Sequence, residues 1–192
     1  METVNNELTP ERSLQLINET LDNSRRDILR QSSAPIILWG TLLFIFSLAI
    51  FILWNRTGSP VWNFLWFAMT LLGFVLRPIL IHTDKSVPCN TVSKMLTATW
   101  CSFGAFAVST ALISIFVVPV NMTVAIALLF GLAETLSGFL LKSWPVIISG
   151  YVIAVGGAIA GGLLNDARQL LVFTICGVVL ALTGVIIKVH NK

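Results

Sequence analysis

The run NMTVAIALLFGLAETLSGFLLK at positions 121–142 decides the fold of this chain. Between Asn121 and Lys142 it holds a single charged residue, Glu134. Its polar and apolar residues do not alternate as a barrel strand requires, and about 20 such residues at 1.5 Å each cover the roughly 30 Å of a bilayer's hydrocarbon. The run therefore reads as a transmembrane helix. Lys142 and Ser143 leave room only for a tight antiparallel return, and Trp144-Pro145-Val146-Ile147-Ile148 opens a second apolar stretch.

Outward from this pair, six windows are long enough to cross a bilayer: 34–54, 61–81, 96–118, 121–141, 144–164 and 168–188. The composition agrees. The chain has 192 residues, 56% hydrophobic and 11% charged, with a mean hydropathy of +0.87, whereas soluble domains carry about 25% charged residues. Disordered, collagen-like and disulfide-rich secreted chains are excluded on the same grounds. The expected fold is all-α: a polytopic membrane helical bundle of six transmembrane helices over 34–192, preceded by a cytoplasmic leader over 1–33.

Charge placement gives the bundle a direction, because cytoplasmic flanks retain Lys and Arg. With the amino terminus inside, Arg12, Arg25, Arg26, Arg30, Arg77, Lys85, Lys94, Lys142, Lys188 and Lys192 lie on the inner side, and only Arg56 and Arg168 on the outer. Both termini are expected in the cytoplasm, in a bacterial inner membrane, and the basic balance then follows from topology without nucleic-acid binding. Trp54, Trp62, Trp66 and Trp144 fall near the two boundaries, as an interfacial aromatic belt would. The leader is polar and mixed in charge, so it is not read as a cleavable signal.

Thr9, Pro10 and Glu11 form a helix start, with Thr9 as N-cap and Pro10 in the first turn. Leu14, Ile17, Leu21 and Ile28 then share a stripe interrupted by Ser24. The leader should be an amphipathic helix that lies on the inner face or packs on the bundle. Its other reading is a docking helix for a cytoplasmic or membrane partner or a second copy.

The even helices end alike. Gly73, Gly138 and Gly184 each precede an inner-face cation by four residues, at Arg77, Lys142 and Lys188. Paired with Gly40, Gly104 and Gly150 on the odd helices, they divide the chain into three pseudo-repeated hairpins of nearly constant spacing. On the fifth helix Gly150, Ala154, Ala158 and Gly162 recur every four residues, beside a second row of Gly157 and Gly161. Small residues at such spacing let helices approach closely, inside the bundle or across a homodimer.

One residue stands outside this architecture. Glu134 lies eight residues from Lys142, roughly 12 Å inside the boundary, where a carboxyl group is costly and a functional candidate by default. Thr41, Thr70, Ser102 and Tyr151 reach about the same depth, with Trp100 and Phe103 nearby; Tyr151 is the best placed partner, because the two-residue turn at 142–143 sets positions 134 and 151 at matching heights. Such a layer could exchange a proton for a lipophilic cation seated on aromatic faces; alternatively Glu134 is structural. Cys89, Cys101 and Cys176 form no CxxC pair and have no His at metal spacing, so they read as reduced and inert. There is no HExxH, no GxSxG and no phosphate loop, and His82 and His190 are isolated. No cofactor, metal or catalytic activity is expected.

Glu11-Arg12-Ser13-Leu14 with Leu16-Ile17, Leu38-Trp39-Gly40, and Gly131 with Thr135, Ser137-Gly138, Leu141-Lys142 and Pro145-Val146-Ile147-Ile148 resemble a group of uncharacterised small multi-pass proteins of Bacteroidetes-type bacteria. That resemblance spans most of the chain and implies an inner-membrane location without an activity. The glycines near the returning ends of the hairpins are also similar to HdeD-like acid-resistance membrane proteins, from which the long polar leader departs.

Overall fold

The computed structural model describes residues 9–81 and 91–190; Lys85, Cys89, Lys192 and His82 lie outside the described residues. Six helical rods are long and apolar enough to cross a membrane. They are α1 (Pro10–Thr57), α2 (Leu65–Leu80) with a short 3-10 lead-in, α3 (Thr91–Phe116), α4 (Met122–Leu141), a rod made of α5 (Trp144–Tyr151) and α6 (Gly157–Leu163), and α7 (Leu170–His190). A π-helical segment at Val152–Gly156 joins α5 to α6.

The leader is no separate element. Thr9 caps the helix by accepting from the Arg12 amide at 3.4 Å, and the chain then stays helical for 48 residues, through Pro35, to a left-handed cap at Gly58. Such a helix is about 72 Å long, more than twice the hydrocarbon thickness. Its middle is clamped to the bundle: Ile28 packs with Val92 of α3 and Leu141 of α4, with Leu21 and Leu29 alongside. Ser24, which interrupts the apolar stripe in sequence, is itself buried. The stripe's first members, Leu14 and Ile17, remain exposed.

The longest interface joins α1 to α7. Ser33, Gly40 and Ser47 recur every seven residues along α1 and are all buried. Opposite them on α7 stand Gly184, Ala181, Gly177 and Thr174. A Cβ added at Gly40 would lie 2.6 Å from the Ala181 amide nitrogen, and one at Gly177 would lie 2.6 Å from the Phe44 amide nitrogen. At mid-height Ser47 and Thr174 share a hydrogen bond of 3.0 Å. Backbones meet here because Gly, Ala, Ser and Thr stand at the points of closest approach.

The second close interface joins α4 to the α5–α6 rod. Gly131 faces Ala154 and Gly150, Gly150 faces Thr135 and Gly131, and Gly157 and Gly161 face Ala127 and Thr123. The fifth span thus packs inside the bundle along Gly150, Ile153, Gly157 and Gly161. Ala158 is half-buried and Gly162 exposed, because a row repeating every four residues drifts around a helix of 3.6 residues per turn.

At the tight return Lys142 adopts φ 52°, and its amide bonds back to Gly138 and Phe139. This left-handed cap costs a non-glycine residue roughly 1–2 kcal/mol and swings the Lys142 side chain to Asp22 on α1, Nζ to carboxylate 2.9 Å. At the far end Asn121 and Gln169 both donate to the Gly161 carbonyl, at 3.0 and 3.3 Å. Gln169 also donates to Leu164, so side chains satisfy carbonyls orphaned where α6 ends.

α2 and α3 lie on the flanks. α2 rests on α1 through Gly73, into which the Trp39 ring presses, and through an edge-to-face Trp39–Phe74 contact. α3 leans on α4 through a triad of Trp100, Phe103 and Phe130, with centroids 5.5–5.7 Å apart. Most of both helices is exposed. The glycines of the three hairpins do not share one role: Gly73, Gly138 and Gly184 are all buried against a neighbour, but Gly40 meets α7 and Gly104 meets nothing within 4 Å.

Candidate functional site

Glu134 projects from α4 toward the middle of the bundle and is 2% exposed. Its helix turns it inward because Gly131, Glu134 and Gly138 lie three and four residues apart, on the face that α5 covers. The hydroxyl of Ser149 donates to Glu134 Oε1 at 3.4 Å and more closely, at 2.9 Å, to the Val146 carbonyl of its own helix. The carboxyl is therefore held by one long bond. Phe130 lies one turn away on α4 and packs against the core cluster of Ile153, Val172, Cys176 and Leu180. Among the described residues no Lys, Arg or His reaches Glu134 in an ion pair.

Sequence depth suggested Tyr151 as its partner, and the structure supplies Ser149. The two-residue return does bring 134 and 151 to similar heights. Ser149, two positions earlier, is rotated by about 200° around the helix, which turns it onto α4 while Tyr151 is left 54% exposed on the outer face. Depth was readable from a count along the helix; direction depended on which face α4 covers.

The other members of the layer do not converge. Thr41 and Thr70 are exposed, and each bonds back within its own helix, to Ile37 at 2.8 Å and to Trp66 at 2.9 Å. Ser102 faces a groove between α3 and α4. Trp100 engages the rings of Phe103 and Phe130. Thr135, Ser137 and Thr183 are buried polar residues that depth counting passed over. Ser137 donates to Ala133 at 2.7 Å and Thr183 to Val179 at 2.9 Å, so both hydroxyls are spent locally.

Two recesses accompany the site without reaching Glu134. One, of about 360 Å³, runs between α3 and α4 past Ser102, Ala133 and Leu136. The other, of about 170 Å³, lies between the α5–α6 rod and α7 beside Cys176. Among the described residues no group of His, Cys, Asp or Glu is arranged to hold a metal ion.

A second polar centre sits at the end of the bundle that carries Lys142. Asp22 receives hydrogen bonds at 2.9 Å from Lys142 and from Arg25, and these bonds, that from Lys142 first, hold its carboxyl below the usual value of 3.8. The pair fastens α1 to the α4–α5 return. The charge pattern places Lys142 at the lipid boundary; its partner Asp22 stands 120 residues away along the chain. No family model, no curated protein and no solved structure matches this chain.

Proposed function

We propose that this chain is a non-catalytic multi-pass protein of a bacterial inner membrane, with both termini cytoplasmic, that acts as an accessory or envelope-stress component through helix contacts. The observation that supports this reading is the far end of α1. A single continuous helix passes the clamp at Ile28 and carries Leu14, Leu16 and Ile17 onward, exposed, towards its start at Pro10. Apolar residues left uncovered by the bundle suit a docking tip for a cytoplasmic or membrane partner, or for a second copy. The charge asymmetry supports the direction.

The test is a photoreactive residue at Ile17 in whole cells. The expected result is one discrete adduct, abolished by Leu14→Glu with Ile17→Glu while thermal unfolding in detergent stays unchanged. Absence of an adduct overturns the docking role. Direction is checked separately: Cys89 should react with an impermeant thiol reagent only after the membrane is opened.

The alternative is a small proton-coupled exporter of lipophilic cations centred on Glu134, and its support is the carboxyl itself. It requires a wet path to that carboxyl, and neither recess supplies one among the described residues. Glu134→Gln separates the two readings, since it removes the proton site of an exporter and spares helix contacts.

A further inference from the structure

We propose that the groove between α3 and α4 seats one acyl chain of a bilayer phospholipid, and that Lys94 favours a lipid whose headgroup carries net negative charge. Its volume of about 360 Å³ falls within the roughly 300–1,000 Å³ of small-ligand sites. The recess arises from contrast in size: Ala98, Ser102 and Ala133 are set among Phe106, Leu132 and Leu136. Only α3 and α4 line it, both of them spanning helices. The medium that meets it is therefore hydrocarbon.

Charge complementarity selects the occupant. Ala98, Ser102 and Phe106 line the groove on α3, and Lys94 stands one turn before Ala98, rotated about 40° from it. Lys94 is exposed and lies just before the apolar window that opens at Leu96. Its methylene stem can lie along the helix while the ammonium stays at headgroup depth. A chain lying beside α3 from Phe106 to Ala98 covers about 12 Å and delivers its headgroup to the lysine. A cation one turn from a narrow apolar slot matches a phospholipid. A second transmembrane helix is a poorer match, because Phe106, Leu132 and Leu136 protrude where a close helix contact would need small residues. The inference does not depend on the docking role of α1 or on which side of the membrane is cytoplasmic.

The full chain is placed in nanodiscs of phosphatidylcholine containing a trace of phosphatidylglycerol with a photoreactive diazirine on its acyl chain. The adducts are mapped by mass spectrometry. Labelling is expected to be several-fold denser over residues 98–106 and 129–136 than over the exposed face of α2 at Phe67, Leu71 and Phe74, and to fall in Ala133→Phe, which fills the groove. Lys94→Gln, a change at an exposed site, should lower labelling by the phosphatidylglycerol probe about fivefold, the factor expected for one lysine at an anionic surface, and leave labelling by the matching phosphatidylcholine probe unchanged. Equal labelling of the two faces, or adducts joining groove residues of two copies, would overturn the seat. An unchanged headgroup preference in Lys94→Gln would overturn the role of the lysine, and neither result requires that Ala133→Phe fold.

Discussion

The four central rods, α1, α4, α5–α6 and α7, and the two flanking helices, α2 and α3, are all long and apolar enough to span a membrane, yet they spend their side chains in opposite ways. The central rods bury glycine, alanine, serine and threonine at their contacts. The flanking pair turns Phe67, Phe74, Phe106 and Phe116 outward. In water the large apolar residues would form the core. In lipid they gain nothing by leaving the surface, so close packing passes to residues small enough to let backbones touch. Hydropathy finds both kinds of helix; what marks the central ones is small residues that face a neighbouring backbone, as Gly40 and Gly177 do and Gly104 on α3 does not.

A glycine scan tests this contrast most severely. Gly40→Leu and Gly177→Leu place a side chain against opposing backbone, which cannot move aside as a flexible chain would. Each should cost 1–3 kcal/mol or more, at about the level of severe overpacking, and deplete the monodisperse peak in size-exclusion chromatography. Gly104→Leu, with nothing within 4 Å, should change thermal stability by no more than about 0.5 kcal/mol. Equal losses at the three sites would break the distinction between core and flank.

Hydroxyls sharpen it at smaller scale. Ser47→Ala removes the bond between α1 and α7 and is expected to cost about 0.6 kcal/mol, typical of an interhelical hydrogen bond in a membrane protein. Thr70→Ala removes a bond only within α2 and should lie within error in the same unfolding assay. Glu134→Gln keeps the shape of the side chain and its acceptor for Ser149. With a purely structural Glu134 it should shift stability by less than about 1 kcal/mol and leave the Ile17 adduct intact. Loss of a pH-dependent ligand affinity in that variant would favour the exporter instead.

The smallest expected effect concerns the clamp on α1. The Asp22 carboxyl is held below 3.8, so its contribution is fully present above that value and is lost as pH falls through the lower value of the folded protein. The protection factors of amides 10–30, that is, exchange corrected for its intrinsic pH dependence, should therefore be flat from pH 8 to about pH 5 and fall only below the usual carboxylate range. Asp22→Asn should remove that pH dependence. Protection that already falls between pH 7 and 5 would mean that some other group fastens the helix.

The spans were readable in the sequence because hydrocarbon thickness sets a length that any helix must meet: the observed rods begin and end within a few residues of five of the six windows. α1 is the exception. The polar leader suggested a boundary at residue 33 that the helix ignores; it runs on through Pro35, since a proline removes one backbone hydrogen bond while contacts on both sides hold the rest. The inward turn of Glu134 was legible as an acid out of place, but its partner was not, because choosing Ser149 over Tyr151 requires knowing the covered face of α5. The pairing of α1 with α7 was hidden by separation along the chain. Its signal was nevertheless present in Ser33, Gly40 and Ser47, spaced by seven, facing Gly177, Ala181 and Gly184.

That pairing also sets an order of assembly. α1 ends at Thr57 and its partner at His190, so roughly 130 residues are synthesised after the first helix has left the ribosome. At about 5–20 residues per second this takes some 7–26 s. For that interval the small-residue seam of α1 has no native mate. The newborn chain is then most open to membrane chaperones, to proteases and to wrong partners with a glycine face of their own, and a ribosome that stalls before Leu170 leaves the seam open for good.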